Sequence, residues 1–266
     1  MHGWTLGPPF SKSLDNGGSA EGREEVNVRK LGLIGGMSWV STRIYYEHIN
    51  RIVQQRRDRR TSAPLLIESL DFAQLYALRT EDDWNRAATI LSASAQRLEA
   101  AGAEGLIIGA NSMHRVYDTV AKSVSIPILH IADCVGARME ADGVRTAALL
   151  GTRNVMVEGF YRWRLVARGV DLLPPDMSNV EQLDQIIYEE LMVGRVTRGA
   201  ERALKSMVTF IQQSGADAVV LACTELEMVV DTDANVLPIY DSARIHSEAA
   251  ADWILAGGEQ VDNIAA

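Results

Sequence analysis

The stretch AGAEGLIIGANSMH at residues 101–114 returns as SGADAVVLACTELE at residues 214–227. Each copy opens on a small residue, Gly, Ala and an acid, passes through an apolar run, and ends in a small residue followed by polar ones that can open a helix. An apolar run of this length between turn residues reads as a buried strand. The polar residues after it then stand at the strand's carboxyl end, where open α/β sheets bind their ligands. One copy carries a thiol there, Cys223, and the other carries Ala110.

The repetition extends outward from these two loops. VRKLGLIGGMS (28–38) aligns with VRTAALLGTRN (144–154), and Tyr45 falls opposite Tyr161 at the same offset of 116. Ala110 and Cys223 are 113 residues apart, and IPILHIAD (126–133) faces LPIYDSAR (237–244) at 111. Nearly constant offsets at landmarks in the same order predict two homologous halves, about 28–143 and 144–256. Strand-length apolar runs stand at 30–36, 64–69, 105–109, 126–130, 146–151, 218–222 and 237–240. Amphipathic stretches lie between them; in one, Trp84, Ala88, Leu91, Ala95 and Leu98 line a single helical face. This alternation predicts βαβ units, mainly parallel sheets, and an α/β fold of two pseudo-symmetric lobes whose equivalent loops face each other across a cleft.

Composition narrows the function classes. With 35 acidic against 26 basic residues the net charge is -9, which argues against a nucleic-acid surface. The basic run QQRRDRR (54–60) reads as a solvated helix end. Two cysteines without a pairing pattern point to a reducing compartment, the cytoplasm, and no apolar run approaches the roughly 20 residues of a membrane span. Residues 1–28, rich in Gly, Ser and Pro, read as a disordered tail and not as a secretory signal. LIGGM lacks the dinucleotide fingerprint G-x-G-x-x-G, so no nucleotide cofactor is expected, and no residue spacing suggests a metal site.

The loops GGMS (35–38), GTRN (151–154), 110–112 and 223–225 are expected to line the cleft. Helix N-termini there would offer unpaired N–H groups to a carboxylate, with Asn111, Ser112, Thr152 and Thr224 adding side-chain donors. A thiol at such a position should have its pKa lowered and act as thiolate. Cys134, inside HIADCVGARME, reads as packing, and so singly do His114, His130 and His246 near strand ends; His48 lies in a helical stretch without partners.

These residues together resemble the aspartate/glutamate racemase family. The family's marks appear as Gly35-Gly36-Met37, Ala110-Asn111-Ser112-Met113-His114 and Cys223-Thr224-Glu225, and the resemblance covers roughly residues 30–256. Through GGMSWVST, LDF, NSMH and IIYEEL it is most similar to the L-aspartate/glutamate-specific branch. The resemblance implies two flavodoxin-like three-layer lobes, 29–143 plus 241–266 and 144–240, with the final helix packed back on the first. It also implies a homodimer and cofactor-independent racemisation by two thiols acting on opposite faces of the α-carbon. Cys223 then occupies one catalytic slot and Ala110 the other, which has no proton to give or take. That branch itself carries Thr in this slot, so one thiol is compatible with racemisation. Met37, Asn111, Ser112, Thr152, Thr224 and Glu225 take the substrate-binding positions. A lysine that two-thiol members use falls at Met192, which leaves Arg43 and Arg153 as candidate partners of a side-chain carboxylate. Two other readings stay open: a one-face proton-transfer enzyme such as a single-cysteine decarboxylase, and a non-catalytic binder of acidic amino acids.

Overall fold

The structure, a computed structural model, describes residues 28–76, 78–232 and 235–257. The expected N-terminal tail therefore lies almost wholly outside the described residues, as does the end of the chain beyond 257. In the first half β1 (Leu31–Gly35) leads to α1 (Trp39–Arg56), β2 (Leu65–Ser69), α2 (Glu81–Ala100), β3 (Gly105–Ile108), α3 (Tyr117–Ala121), β4 (Ile128–Leu129) and α4 (Ile131–Ala141). The second half runs through β5 (Thr146–Gly151), α5 (Arg153–Val157), α6 (Gly159–Val166), β6 (Asp171–Leu172), α7 (Met177–Glu189), α8 (Arg198–Gln213), β7 (Ala218–Ala222) and β8 (Ile239–Asp241), and closes with α9 (Ser242–Leu255).

Each half forms one four-stranded parallel sheet flanked by helices, in the orders β2-β1-β3-β4 and β6-β5-β7-β8. The two orders superimpose under the offset read from the sequence. All seven sequence-identified strands are present. The eighth, β6, is two residues long and stops before Pro174-Pro175, whose rings offer no N–H to a ladder.

Hydrophobic periodicity explains the packing. The five α2 residues expected on one face are all buried against the first sheet. The equivalent tyrosines Tyr45 and Tyr161 are fully buried in a core shared by both halves. In α9, Ala243, Ala250 and Ala251 allow close approach to α1 and α4, while Trp253 and Ile254 fill the gap below. The Arg29 amide donates to the Ile254 carbonyl at 3.0 Å, and the Arg29 guanidinium lies 4.4 Å from the Trp253 ring. Asp241 pairs with Leu221 in the second sheet, and α9 starts at the next residue, Ser242.

The β1–α1 turn is held tightly. Gly36 has φ +84°, its amide donates to Thr42 Oγ1 at 2.7 Å, and a Cβ there would collide with the Leu70 backbone. Gly102 has φ +92° and nothing near its Cβ direction. Gly102→Ala should therefore cost only the left-handed conformation, about 1–2 kcal/mol, and Gly36→Ala about 1–3 kcal/mol more from overpacking. Urea unfolding midpoints of the two variants measure the difference; equal midpoints would show that Leu70 yields without cost.

Candidate active site

Ser38 caps the N-terminus of α1 and points its hydroxyl into the other half, donating to Glu225 Oε1 at 2.7 Å. Glu225 is only 1% exposed. Its other oxygen accepts from Thr224 Oγ1 at 2.8 Å and from the Cys223 thiol at 3.2 Å. Ser41, one turn into α1, contacts Thr224 Oγ1. The GGMSWVS loop of the first half and the CTE loop of the second thus meet through a fully buried hydroxyl–carboxylate–thiol cluster.

Two expectations about this loop change. Residues Thr224–Met228 and, in the first half, Ser112–Val116 form single 3-10 turns and not α-helices, so no long array of aligned peptide dipoles ends at Cys223 or Ala110. The thiol's pKa moves the other way from that expected. Burial first, then the Glu225 charge, holds Cys223 well above its usual value, and the hydrogen bond to the carboxylate adds to this. The resting group is a thiol.

The remaining positions divide by how their polar atoms are used. Thr224 and Glu225 spend their side-chain oxygens inside the cluster. Asn111 donates through Nδ2 to Ser242 Oγ at 3.0 Å, while its Oδ1 is buried without a partner. Thr152 precedes α5 without capping it, and its Oγ1 is likewise buried and unmatched. Turning the Asn111 amide over would present an unmatched N–H in place of the oxygen. Met37 packs beside Ala110 and Met113 in the first-half core, Ala110 is buried, and Ser112 is half-buried. Arg43 is exposed on α1, Met192 is half-buried, and Cys134 is buried in the shared core, its thiol pushed up to about 12 by burial.

Beside the loops a cavity of about 380 Å³ is lined by Tyr76 and Arg79 from the first half and by Arg153, Tyr188 and three carboxylates, Glu181, Asp184 and Glu189, from the second. Tyr76 and Tyr188 meet edge to face, 5.3 Å between ring centres. Burial raises the Tyr188 hydroxyl, and Asp184 and then Cys223 add to the effect. Asp184 accepts from the Arg153 amide at 2.7 Å, and among the described residues neither Arg79 nor Arg153 has an ion-pair partner.

Two further links have no local signature in the sequence. His48 bonds Glu227 across the halves at 2.8 Å, correcting its reading as a residue without partners; the partner is 179 positions away, beyond any local pattern. His114, His130 and His246 gather near the first-half loop, with His114 4.5 Å from His130 ring to ring. Burial keeps all three neutral, His114 near 3, His246 near 4 and His130 well below its usual value. They bond to backbone groups, His114 to the Ala110 carbonyl and His246 to that of Leu129.

The Asp/Glu/hydantoin racemase family model matches residues 34–250. The chain belongs to this family. A candidate Asp/Glu racemase of Yersinia pestis is 37% identical, with a TM-score of 0.78 over 85% of this chain and 99% of that one. PH1733 of Pyrococcus horikoshii OT3, an aspartate racemase homologue, is 30% identical, with a TM-score of 0.74 over 86% of this chain and 99% of its own. The broad specificity amino-acid racemase RacX of Bacillus subtilis (strain 168) is 22% identical over 61% of this chain and 70% of its length. This racemase family member thus carries the two-lobe α/β fold with an unlike pair of residues, Ala110 and Cys223, in the repeated loop.

A thiol held in its protonated form is a poor nucleophile. In a Cys134→Ala background, Cys223 should be alkylated by iodoacetamide far more slowly than a free thiol at pH 8, and the rate should keep rising with pH beyond the usual thiol range. Glu225→Gln removes the charge that opposes ionisation and should shift the profile to lower pH. A profile centred at or below the usual value in the parent protein would contradict the assigned geometry.

Proposed function

We propose that this protein is a cofactor-independent racemase of an acidic amino acid, aspartate or glutamate, with Cys223 as its acid–base group. The observation that carries the reading is the buried thiol on Glu225, together with two buried, unmatched polar atoms that follow the equivalent strands β3 and β5, Asn111 Oδ1 and Thr152 Oγ1. Unmatched buried polar groups cost free energy until something bonds them, and the α-carboxylate and α-ammonium of an amino acid supply both donors and acceptors. The unpaired Arg79 and Arg153 at the cavity suit a side-chain carboxylate. The same reading makes the enzyme a cytoplasmic homodimer.

In this reaction Glu225 accepts the thiol proton, and the resulting thiolate removes the α-hydrogen as a proton. The electron pair of the broken C–H bond delocalises into the bound carboxylate. Proton return by Cys223 restores the starting enantiomer; return from the opposite face inverts it. The second catalytic slot, assigned to that face, is filled by Ala110, so the proton comes from water; the hydroxide left behind takes the proton held by Glu225, and inversion is slower than exchange. A one-face enzyme is the second reading, favoured by the same methyl group: a thiol protonated at rest delivers its proton to a carbanion left by decarboxylation.

The α-hydrogen of each enantiomer in D₂O, followed by NMR, tests the proposal. Exchange of both enantiomers with inversion supports the racemase and exchange without inversion a one-face proton-transfer enzyme; no exchange overturns both, and CO₂ release from a 2-substituted malonate then separates a decarboxylase from a binding protein. Cys223→Ser should abolish exchange, because an alkoxide is inaccessible near neutral pH. Ala110→Cys should raise the rate of inversion with little change in KM, since well-placed acid–base groups contribute about 10²–10⁴-fold. Persistent racemisation by Cys223→Ser would place the proton chemistry elsewhere.

A further inference from the structure

The two sheets differ at one edge. In the first half β2 pairs with β1 over its full length, to Gly35↔Ser69, and the Leu70 amide then closes on the Gly35 carbonyl at 3.0 Å. In the second half β6 pairs with β5 only at Thr146↔Asp171 and Ala147↔Leu172, with a last bond from the Leu173 amide to the Ala147 carbonyl at 2.9 Å. The next carbonyl on that edge belongs to Leu149, and Pro175 stands where the donor should come from. Leu173 O, the acceptor for the Leu149 N–H, is taken instead by Arg162 Nη2 at 3.1 Å. Among the described hydrogen bonds none is made by the Leu149 N–H or C=O, although Leu149 is only 7% exposed.

A cavity of about 430 Å³ lies where β6 would have continued. Leu149, Met156, Val180, Phe210 and Ile211 give it an apolar wall, and Arg162 supplies a half-buried guanidinium. Arg162 donates to the Leu172 and Leu173 carbonyls and, among the described residues, has no carboxylate partner. Asp176 also reaches this cavity, but its carboxylate caps α7 through Ser178 and Asn179. A free strand-edge N–H, an apolar wall and an unpaired cation form a set that a single ligand can match.

We propose that this cavity binds a small carboxylate bearing a secondary amide and an apolar side chain, the chemistry of an N-acylated amino acid. Its acyl carbonyl accepts from the Leu149 N–H, its side chain lies on Val180 and Ile211, and its carboxylate meets Arg162. The site stands apart from the Cys223 cluster, on the outer edge of the second sheet. Because β5 runs on into Gly151 and Thr152, an occupied edge would brace the strand that carries Thr152.

Calorimetric titration of the whole chain with N-acetyl-L-leucine and with N-acetyl-L-leucinamide tests this. The acid should bind, and the amide should bind on the order of tenfold or more weakly, as a charge-assisted bond is lost. Arg162→Gln should erase that difference. Since Arg162 also holds the β6 carbonyls, a second variant guards against misfolding: Phe210→Glu, on the exposed rim of α8, places a carboxylate at the mouth and should weaken the acid most. In the backbone NMR spectrum the Leu149 amide should shift on titration, and Cys223→Ser should leave affinity unchanged. No measurable binding by the parent protein, equal affinity for acid and amide, or loss of binding in Cys223→Ser would each overturn the assignment.

Discussion

A carboxylate that is 1% exposed has given up nearly all of its water and must be bonded from every side. Glu225 meets this condition only while the halves are together, because Ser38 comes from the first half and Thr224 and Cys223 from the second. The same bonds therefore set three things at once. They fix how the α1 entry sits on the second sheet, they orient the thiol, and they keep it protonated. Any movement that parts the halves breaks the Ser38 bond, hydrates Glu225 and relaxes the burial that raises the thiol. Lobe position and thiol ionisation are one equilibrium in this geometry, and the His48–Glu227 bond across the same seam adds to it.

Much of this architecture is legible in the sequence, for a physical reason. Buried parallel strands need continuous apolar runs, and GLIIG, TAALLG and AVVLA mark them without any long-range information. The α2 stripe, the two buried tyrosines at one offset and the shared sheet order follow from periodicity and repetition alone. The loops resist such reading. That Glu225 bonds inward, toward a serine 187 positions away, depends on how two separately folded layers meet. The sign of the Cys223 shift follows first from burial and then from the Glu225 charge, so a rule about helix N-termini, applied to a turn of five residues, points the wrong way. The short β6 has no apolar run of strand length, because Pro174-Pro175 ends it after Asp171–Leu172.

The duplicated halves are alike in frame and unlike in polar content, and the differences lie where a symmetric molecule would be hardest to build. In the second-half loop the thiol has a carboxylate two residues on; in the first-half loop Ala110 is followed at the same spacing by Ser112. Three buried neutral histidines gather near the first-half loop: His114 bonds its Ala110 carbonyl, His130 accepts from the Ala132 N–H, and His246 bonds the Leu129 carbonyl and the Tyr45 hydroxyl. Two buried carboxylates facing each other across one cleft would repel strongly at low effective dielectric, and one of them would have to stay protonated. An asymmetric pair avoids this, with a negative cluster on one side and a neutral one on the other. A thiol placed at position 110 would therefore lack a neighbouring acceptor, and burial alone would keep it protonated. In the proposed reaction such a thiol serves first as a proton donor, so the two directions of inversion are unequal by construction.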